Sequence, residues 1–286
     1  MSRRHSIDTR ISALGDIGKI VRAMKNLSYM ETRKLARFIE AQQLVVDGID
    51  SAAHDLLDHH AALLEPPPQA PAPALCVLIG AERGFCGGFN DGVRDALDAC
   101  TSKDGPAHLI VVGSRLAASL VGDARVVDNL AGASVVEEVP TVLSLLVQSL
   151  DAINARFGTL NVDVVHWDAA TDSVQRVRVL PPFRRDRNAV TSRHPYPPRL
   201  NLAPAHFLAQ LVEHYLFATL HALLYGSLQA EHQQRIRHLE GALGRIDERV
   251  RDLTLTRNTV RQEEITEEIE LILLNRGDDN ARPPAN

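Results

Sequence analysis

The chain has 286 residues, 45% of them hydrophobic, and a net charge of −5 from 31 basic and 36 acidic side chains. Those charges are interspersed rather than blocked, which excludes a polybasic arm for nucleic acid or for a membrane surface. The three cysteines, Cys76, Cys86 and Cys100, form no CxxC pair and are odd in number, so a reduced compartment is the simpler reading. The opening MSRRHSIDTR has arginines but no apolar core, unlike a secretory signal. No uninterrupted apolar run approaches the roughly 18 residues that span a bilayer. Membrane association is therefore expected through partners alone.

Proline divides the chain. None occurs before Pro66 and none between Pro204 and Pro283. The two ends can thus run as long helices, while the middle is punctuated like a compact domain. The N-terminal helix is expected over 1–64. Its apolar residues fall into short seams: Ile7, Ile11 and Leu14, then Ile17, Ile20, Met24 and Leu27, shifted at Gly15 and Gly18. Leu35, Phe38, Leu44 and Val45 continue the apolar face. The linker EPPPQAPAP (65–73) follows.

The middle, 74–182, reads as a small α/β domain. β-rich runs occur at 75–79, 108–112, 124–127, 160–167 and 173–180, with helical stretches near 91–100, 114–121 and 140–157. The early strands are almost continuously apolar, as in a parallel sheet buried on both faces. The last two alternate, as an antiparallel hairpin at the sheet edge would.

The C-terminal helix is expected over 204–275. Ile236, Leu239, Leu243, Ile246, Val250 and Leu253 recur at alternating spacings of three and four, a heptad seam. After Leu253 the pattern breaks at Arg257, and Ile265, Ile269 and Ile272 resume it one step out of phase. A helix of this length needs to bury its seam to be stable. The economical arrangement is an antiparallel coiled coil of the two terminal helices beside a mostly parallel, Rossmann-like α/β domain. The polar tail RGDDNARPPAN (276–286) is expected to be disordered.

Candidate chemistry is thin. The loop GAERGFCGGF (80–89) lies between a strand and a helix, where phosphates are often cradled. It is neither GxGxxG nor GxxxxGK[ST], so a tight turn or a partner-facing surface fits it better. Cys86 could serve as a nucleophile only with a base that the sequence does not supply; a small packed thiol is the simpler reading. His206, His214 and His221 could share a helix face, but each neighbouring pair is about 10–12 Å apart, too far for one ion. His54, His59 and His60 lack ligand spacing. The basic stretches around ARFGT and RVRVLPPFRRDR are interleaved with acids and prolines, as solvated faces are.

Three segments resemble the gamma-subunit family of F-type ATP synthases. RISALGDIGKIVRAMKNLS (10–28) is similar to that family's N-terminal helix, with Lys19-Ile20-Val21-Arg22-Ala23-Met24 at its centre. ERGFCGGFN (82–90) is similar to the family's Gly-Cys-Gly-Gly loop, and DLTLTRNTVRQEEITEEI (252–269) to its C-terminal motif. Their order and intervals agree across almost the whole chain.

The resemblance implies a non-catalytic rotor shaft. Its foot rides on a membrane c-ring, and its coiled coil reaches into a barrel of three alpha and three beta subunits, with an epsilon subunit alongside. Ring rotation would drive conformational change at the partners' catalytic sites. No cofactor, nucleic acid or small-molecule ligand is expected. The resemblance places the chain as a peripheral protein on the cytoplasmic face of a bacterial inner membrane. By matched position, Arg261 and Gln262 would grip a loop of a catalytic subunit, with Asn258, Thr266 and Glu268 nearby; Met24 and Arg235 match positions tied to coupling. The chain departs from the family at Glu31-Thr32-Arg33-Lys34, in its proline-rich linker and after Leu271, as a divergent or second-copy ATPase would. Two readings outside the family stay open at this point: a coiled-coil scaffold, and a small α/β enzyme with helical extensions.

Overall fold

The computed structural model describes residues 3–60, 63, 74–101, 108–158, 161–183 and 196–279. The linker 65–73 and the last seven residues of the tail lie outside them. Helix α1 spans Arg3–His59 and helix α5 Pro204–Asp279. Between them run β1 (Ala74–Ile79), α2 (Phe89–Thr101), β2 (His108–Val112), α3 (Ser114–Ser119), β3 (Val126–Leu130), a 3-10 turn (Val136–Glu138), α4 (Val139–Phe157), β4 (Asn161–Asp168) and β5 (Ser173–Leu180). The chain forms two compact units, one from the residues up to Asn26 and from Arg237 onward, the other from Leu27 to Ile236.

The second unit holds one five-stranded sheet in the order β3-β2-β1-β4-β5. β1 pairs in parallel with β2 and β4, β2 in parallel with β3, and β5 closes the edge antiparallel to β4. The apolar strands are buried on both faces, as expected for this topology. Leu75, Val77, Ile79, Ile110 and Val164 meet α4 together with Leu35 of α1 and Leu220, Leu224 and Leu228 of α5. Cys76, Leu78, Leu109 and Val111 face the other way, onto Phe89, Val93 and Leu97 of α2 and Leu116 of α3. The β2–α3 turn depends on Gly113, whose φ of +111 suits glycine, and a Cβ there would lie 2.5 Å from the Gly80 carbonyl oxygen. β3 begins two residues later than the apolar run suggests. Asp123 captures the backbone N–H of Arg125 at 3.0 Å and also its guanidinium, holding this stretch in a turn.

α1 and α5 pack antiparallel within this unit. Gln42 donates to the Ala218 carbonyl at 3.1 Å, the Phe38 and Tyr225 rings lie 5.6 Å apart, and Ala53 and Leu56 share a cluster with Leu211. The other unit repeats the geometry. Arg4 meets Glu264 at 3.9 Å, Asp8 meets Arg257 at 3.6 Å, and Lys25 meets Glu240 at 3.4 Å. Such partly exposed pairs add little stability, but their opposite stepping defines the register.

The seams differ from those expected. On α5 the heptad does not slip after Leu253: it continues through Arg257 and Val260 to Glu264, with Val260 buried and the two charged residues bonded across to α1. Ile265, Ile269 and Ile272 lie outside it, 45%, 52% and 60% exposed. On α1 the inward line runs through Ile7, Ile11, Leu14, Gly18, Val21 and Ser28. Ile17, Ile20 and Leu27 face outward, as do Leu44 and Val45, while Phe38 is half-exposed with its ring against Tyr225. Small and polar side chains fill a seam at close helix approach, which releases the larger apolar ones to the surface.

α5 also contains an 18-residue window of mean hydropathy 1.3, long and apolar enough by composition to cross a bilayer. Isolated polar residues interrupt the run without greatly lowering its mean, which is why a search for uninterrupted runs overlooks it. Leu220, Leu224 and Leu228 of the same helix belong to the sheet core.

Candidate partner-docking site

The Gly-rich loop after β1 is held from several sides. Ala81 N–H donates to Asn90 Oδ1 at 2.8 Å, and the N–H groups of Glu82 and Arg83 donate to the Glu231 carboxylate at 3.2 and 3.3 Å. The Glu82 carboxylate accepts from Ser114 N and Oγ, both at 2.8 Å, and from Gly132 N at 2.7 Å. Arg235, 5% exposed, donates to Glu231, to the Gly84 carbonyl at 3.1 Å and to Cys86 Sγ at 3.2 Å. The donors that would cradle a phosphate in the first turn of the loop are therefore already paired within the chain. What the loop presents outward is Phe85 and an open cleft of about 340 Å³ whose lining includes Arg83, Asn90 and Arg115.

Electrostatics around this clamp follow from burial. Desolvation pushes the Glu231 carboxyl up, while the Arg235 guanidinium and the two backbone N–H donors pull it back. Desolvation, reinforced by Arg235, lowers His232 to about 4, so its ring is neutral at pH 7. Burial, then the nearby Glu231 charge, pushes the Cys86 thiol up to about 12. A thiol of that kind is no nucleophile at neutral pH. In the folded chain at pH 8, Cys86 is expected to react with iodoacetamide at least tenfold more slowly than in denaturant. Peptide mass spectrometry checks this, and equal rates would contradict the burial described.

The C-terminal motif forms a separate surface on α5. Asn258, Gln262, Ile265, Ile269 and Ile272 recur at spacings of four, three, four and three, which stacks them on one helix face. Arg261 and Glu268 flank that stripe on one side and Thr266 on the other; all are exposed. Among them Thr266 Oγ1 donates locally, to the Gln262 carbonyl at 2.9 Å. The structure thus places Asn258 and Gln262 on an exposed stripe with three isoleucines, with Arg261 and Glu268 along one edge and Thr266 along the other. Met24 is not part of it. It lies half-buried on α1 next to Lys25, opposite Glu240. Arg235 belongs to the other unit and is spent on the loop.

Sequence reasoning missed Glu231, His232 and Glu82. The i, i+4 spacing of Glu231 and Arg235 was available as a signal, but such pairs are usually read as wet. Of the histidines, His206 and His214 are exposed, and the His221 ring lies tilted against Tyr225 with centroids 4.5 Å apart. Among the described residues, no group of three His, Cys, Asp or Glu side chains is placed to hold a metal.

Comparison with known proteins covers nearly the whole chain. It is 26% identical over 299 residues to the ATP synthase gamma chain of Herpetosiphon aurantiacus, spanning 94% of this chain and 96% of the relative. It is 22% identical over 282 residues to the ATP synthase gamma chain of Ruminococcus albus, at the same two coverages of 94% and 96%. Its fold matches a chain in the OSCP/F1/c-ring structure of Euglena gracilis mitochondrial ATP synthase, with TM-score 0.64 at 14% identity over 97% of this chain and 95% of that one. It also matches a chain in the central stalk and c-ring structure of the Tetrahymena thermophila mitochondrial enzyme, with TM-score 0.59 at 16% identity, over 78% of this chain and 99% of that one. The family model described as ATP synthase matches residues 3–273, and the chain belongs to that family.

Proposed function

We propose that this chain is the central rotor shaft of an F-type ATP synthase, coupling ring rotation to conformational change at catalytic sites carried by other subunits. The observation that carries the reading is end-to-end similarity to gamma chains, joined to an antiparallel helix pair built beside an α/β sheet. The chain itself is non-catalytic. Its most nucleotide-like loop has its first backbone donors occupied by Asn90 and Glu231.

Its partners on this reading are three alpha and three beta subunits, an epsilon subunit and the membrane c-ring. As part of F1 it sits peripheral to the membrane, on the cytoplasmic face of a bacterial inner membrane. The exposed face around Arg261 and Gln262 meets a catalytic subunit. A planar guanidinium suits that task because it can grip a carboxylate at two points. Removing the chain from its host's complex should abolish ATP-driven ion pumping in inverted membrane vesicles, and supplying it again should restore pumping. Pumping that persists without the chain would refute the rotor role.

A further inference from the structure

A shaft helix that carries torque needs a mount that resists twisting against the domain beside it. Two buried carboxylates in the Leu27–Ile236 unit provide the material for one. Glu231, on α5, accepts the backbone N–H groups of Glu82 and Arg83 in the loop after β1. Glu31, on α1, is 3% exposed and accepts the backbone N–H of Val136, at the start of the 3-10 turn that leads into α4, at 3.4 Å.

Each helix of the antiparallel pair therefore reaches into a different segment of the α/β layer through an acid at the same kind of donor. Each acid is also held by a cation four or three residues further along its own helix. Arg235 bonds Glu231, and Lys34 bonds Glu31 at 2.9 Å while also reaching Glu137 at 3.3 Å. A single attachment lets a helix pair pivot. Two attachments on separate helices, gripping separate segments, oppose rotation about the pair's own axis.

Burying two carboxylates is costly unless they are paired and hydrogen-bonded. Apolar residues could fill the same space but would leave the backbone N–H groups of Glu82, Arg83 and Val136 without an acceptor, so the specific geometry is what these acids supply. Leu35, fully buried one turn after Glu31, packs with Val136 and Val139 and seats the same contact with apolar surface.

We infer that Glu31 and Glu231 form a two-point torsional lock between the helix pair and the α/β domain, acting as positioning residues for torque transmission. The lock is a matter of structure alone; its use in torque rests on the rotor reading above. Two measurements separate these.

The first is amide hydrogen exchange on the full chain. Glu31→Gln should raise exchange at Val136 by about tenfold while leaving Glu82 and Arg83 within about twofold, and Glu231→Gln should do the reverse. No change at either place, or equal changes at both, overturns the lock. Should Glu231→Gln fail to give soluble chain, Glu31→Gln alone carries this arm by the same criterion.

The second uses the assembled complex bearing the double variant. ATP hydrolysis should remain near the parent rate while ions pumped per ATP fall several-fold. Locally raised exchange with an unchanged pumping ratio would overturn the torque role and leave the rotor reading standing. Loss of the chain from the complex altogether, in parent as well as variant, would overturn the rotor reading and leave the lock.

Discussion

Arg235→Ala should lower the unfolding free energy of the chain by about 3–5 kcal/mol, the usual cost of stranding one member of a buried ion pair. The guanidinium is buried with Glu231, and its removal leaves that carboxylate with only the backbone N–H groups of Glu82 and Arg83 and the weak Cys86 thiol. The Gly84 carbonyl and Cys86 Sγ lose their donor at the same time. Arg235→Lys should recover part of the loss, because an ammonium restores charge but cannot reach the carboxylate, the carbonyl and the sulfur together. The usual remedy of replacing a buried pair with apolar residues should fail here. Glu231→Leu with Arg235→Leu would orphan two backbone donors of the loop. Urea denaturation at pH 7 reads all three variants, and a loss under 1 kcal/mol for Arg235→Ala would show that the loop does not lean on this side chain.

The second large effect is functional. Arg261→Ala with Gln262→Ala should leave the fold and its assembly intact while coupled ATP synthesis falls about tenfold or more. Both residues are exposed on α5, where substitutions usually change stability by less than about 0.5 kcal/mol. A hydrogen bond to a charged partner is worth about 1.5–3 kcal/mol, and tenfold corresponds to about 1.4 kcal/mol. ATP synthesis in reconstituted vesicles, set against the amount of assembled complex, is the readout. Undiminished synthesis would remove this pair from the coupling mechanism.

The sheet was largely legible in the sequence because its signal is apolar. The runs at 108–112 and 173–180 coincide with β2 and β5, and the seam from Ile236 to Leu253 faces inward as its spacing implies. Legibility failed where polar or small residues do the packing. Gly18 and Ser28 occupy inward positions of α1 that carry no apolar signal, so Ile17, Ile20 and Leu27 stand out in the sequence although they face outward. Arg257 looked like a break in the α5 heptad, yet it stays in register by bonding Asp8. The isoleucines beyond it then fall on the outer face.

The candidate site divides the same way. Asn258, Arg261, Gln262, Thr266 and Glu268 come from motif resemblance, and the helix period adds only that they are exposed along and beside one stripe. Glu31, Glu231 and His232 could not be reached, because charge and polarity in a sequence read as surface. Glu31 and Glu231 are satisfied by Val136, Glu82 and Arg83, far away along the chain. Arg235 illustrates both halves: its family position pointed to coupling, while its contacts place it beneath the Gly-rich loop.

Affinity purification of the tagged chain from its host's membranes, followed by native mass spectrometry, tests the rotor assignment most directly. The account predicts one copy of this chain with three copies each of two larger, ATPase-sized subunits. Recovery of the chain alone, or with partners of another stoichiometry, would contradict it.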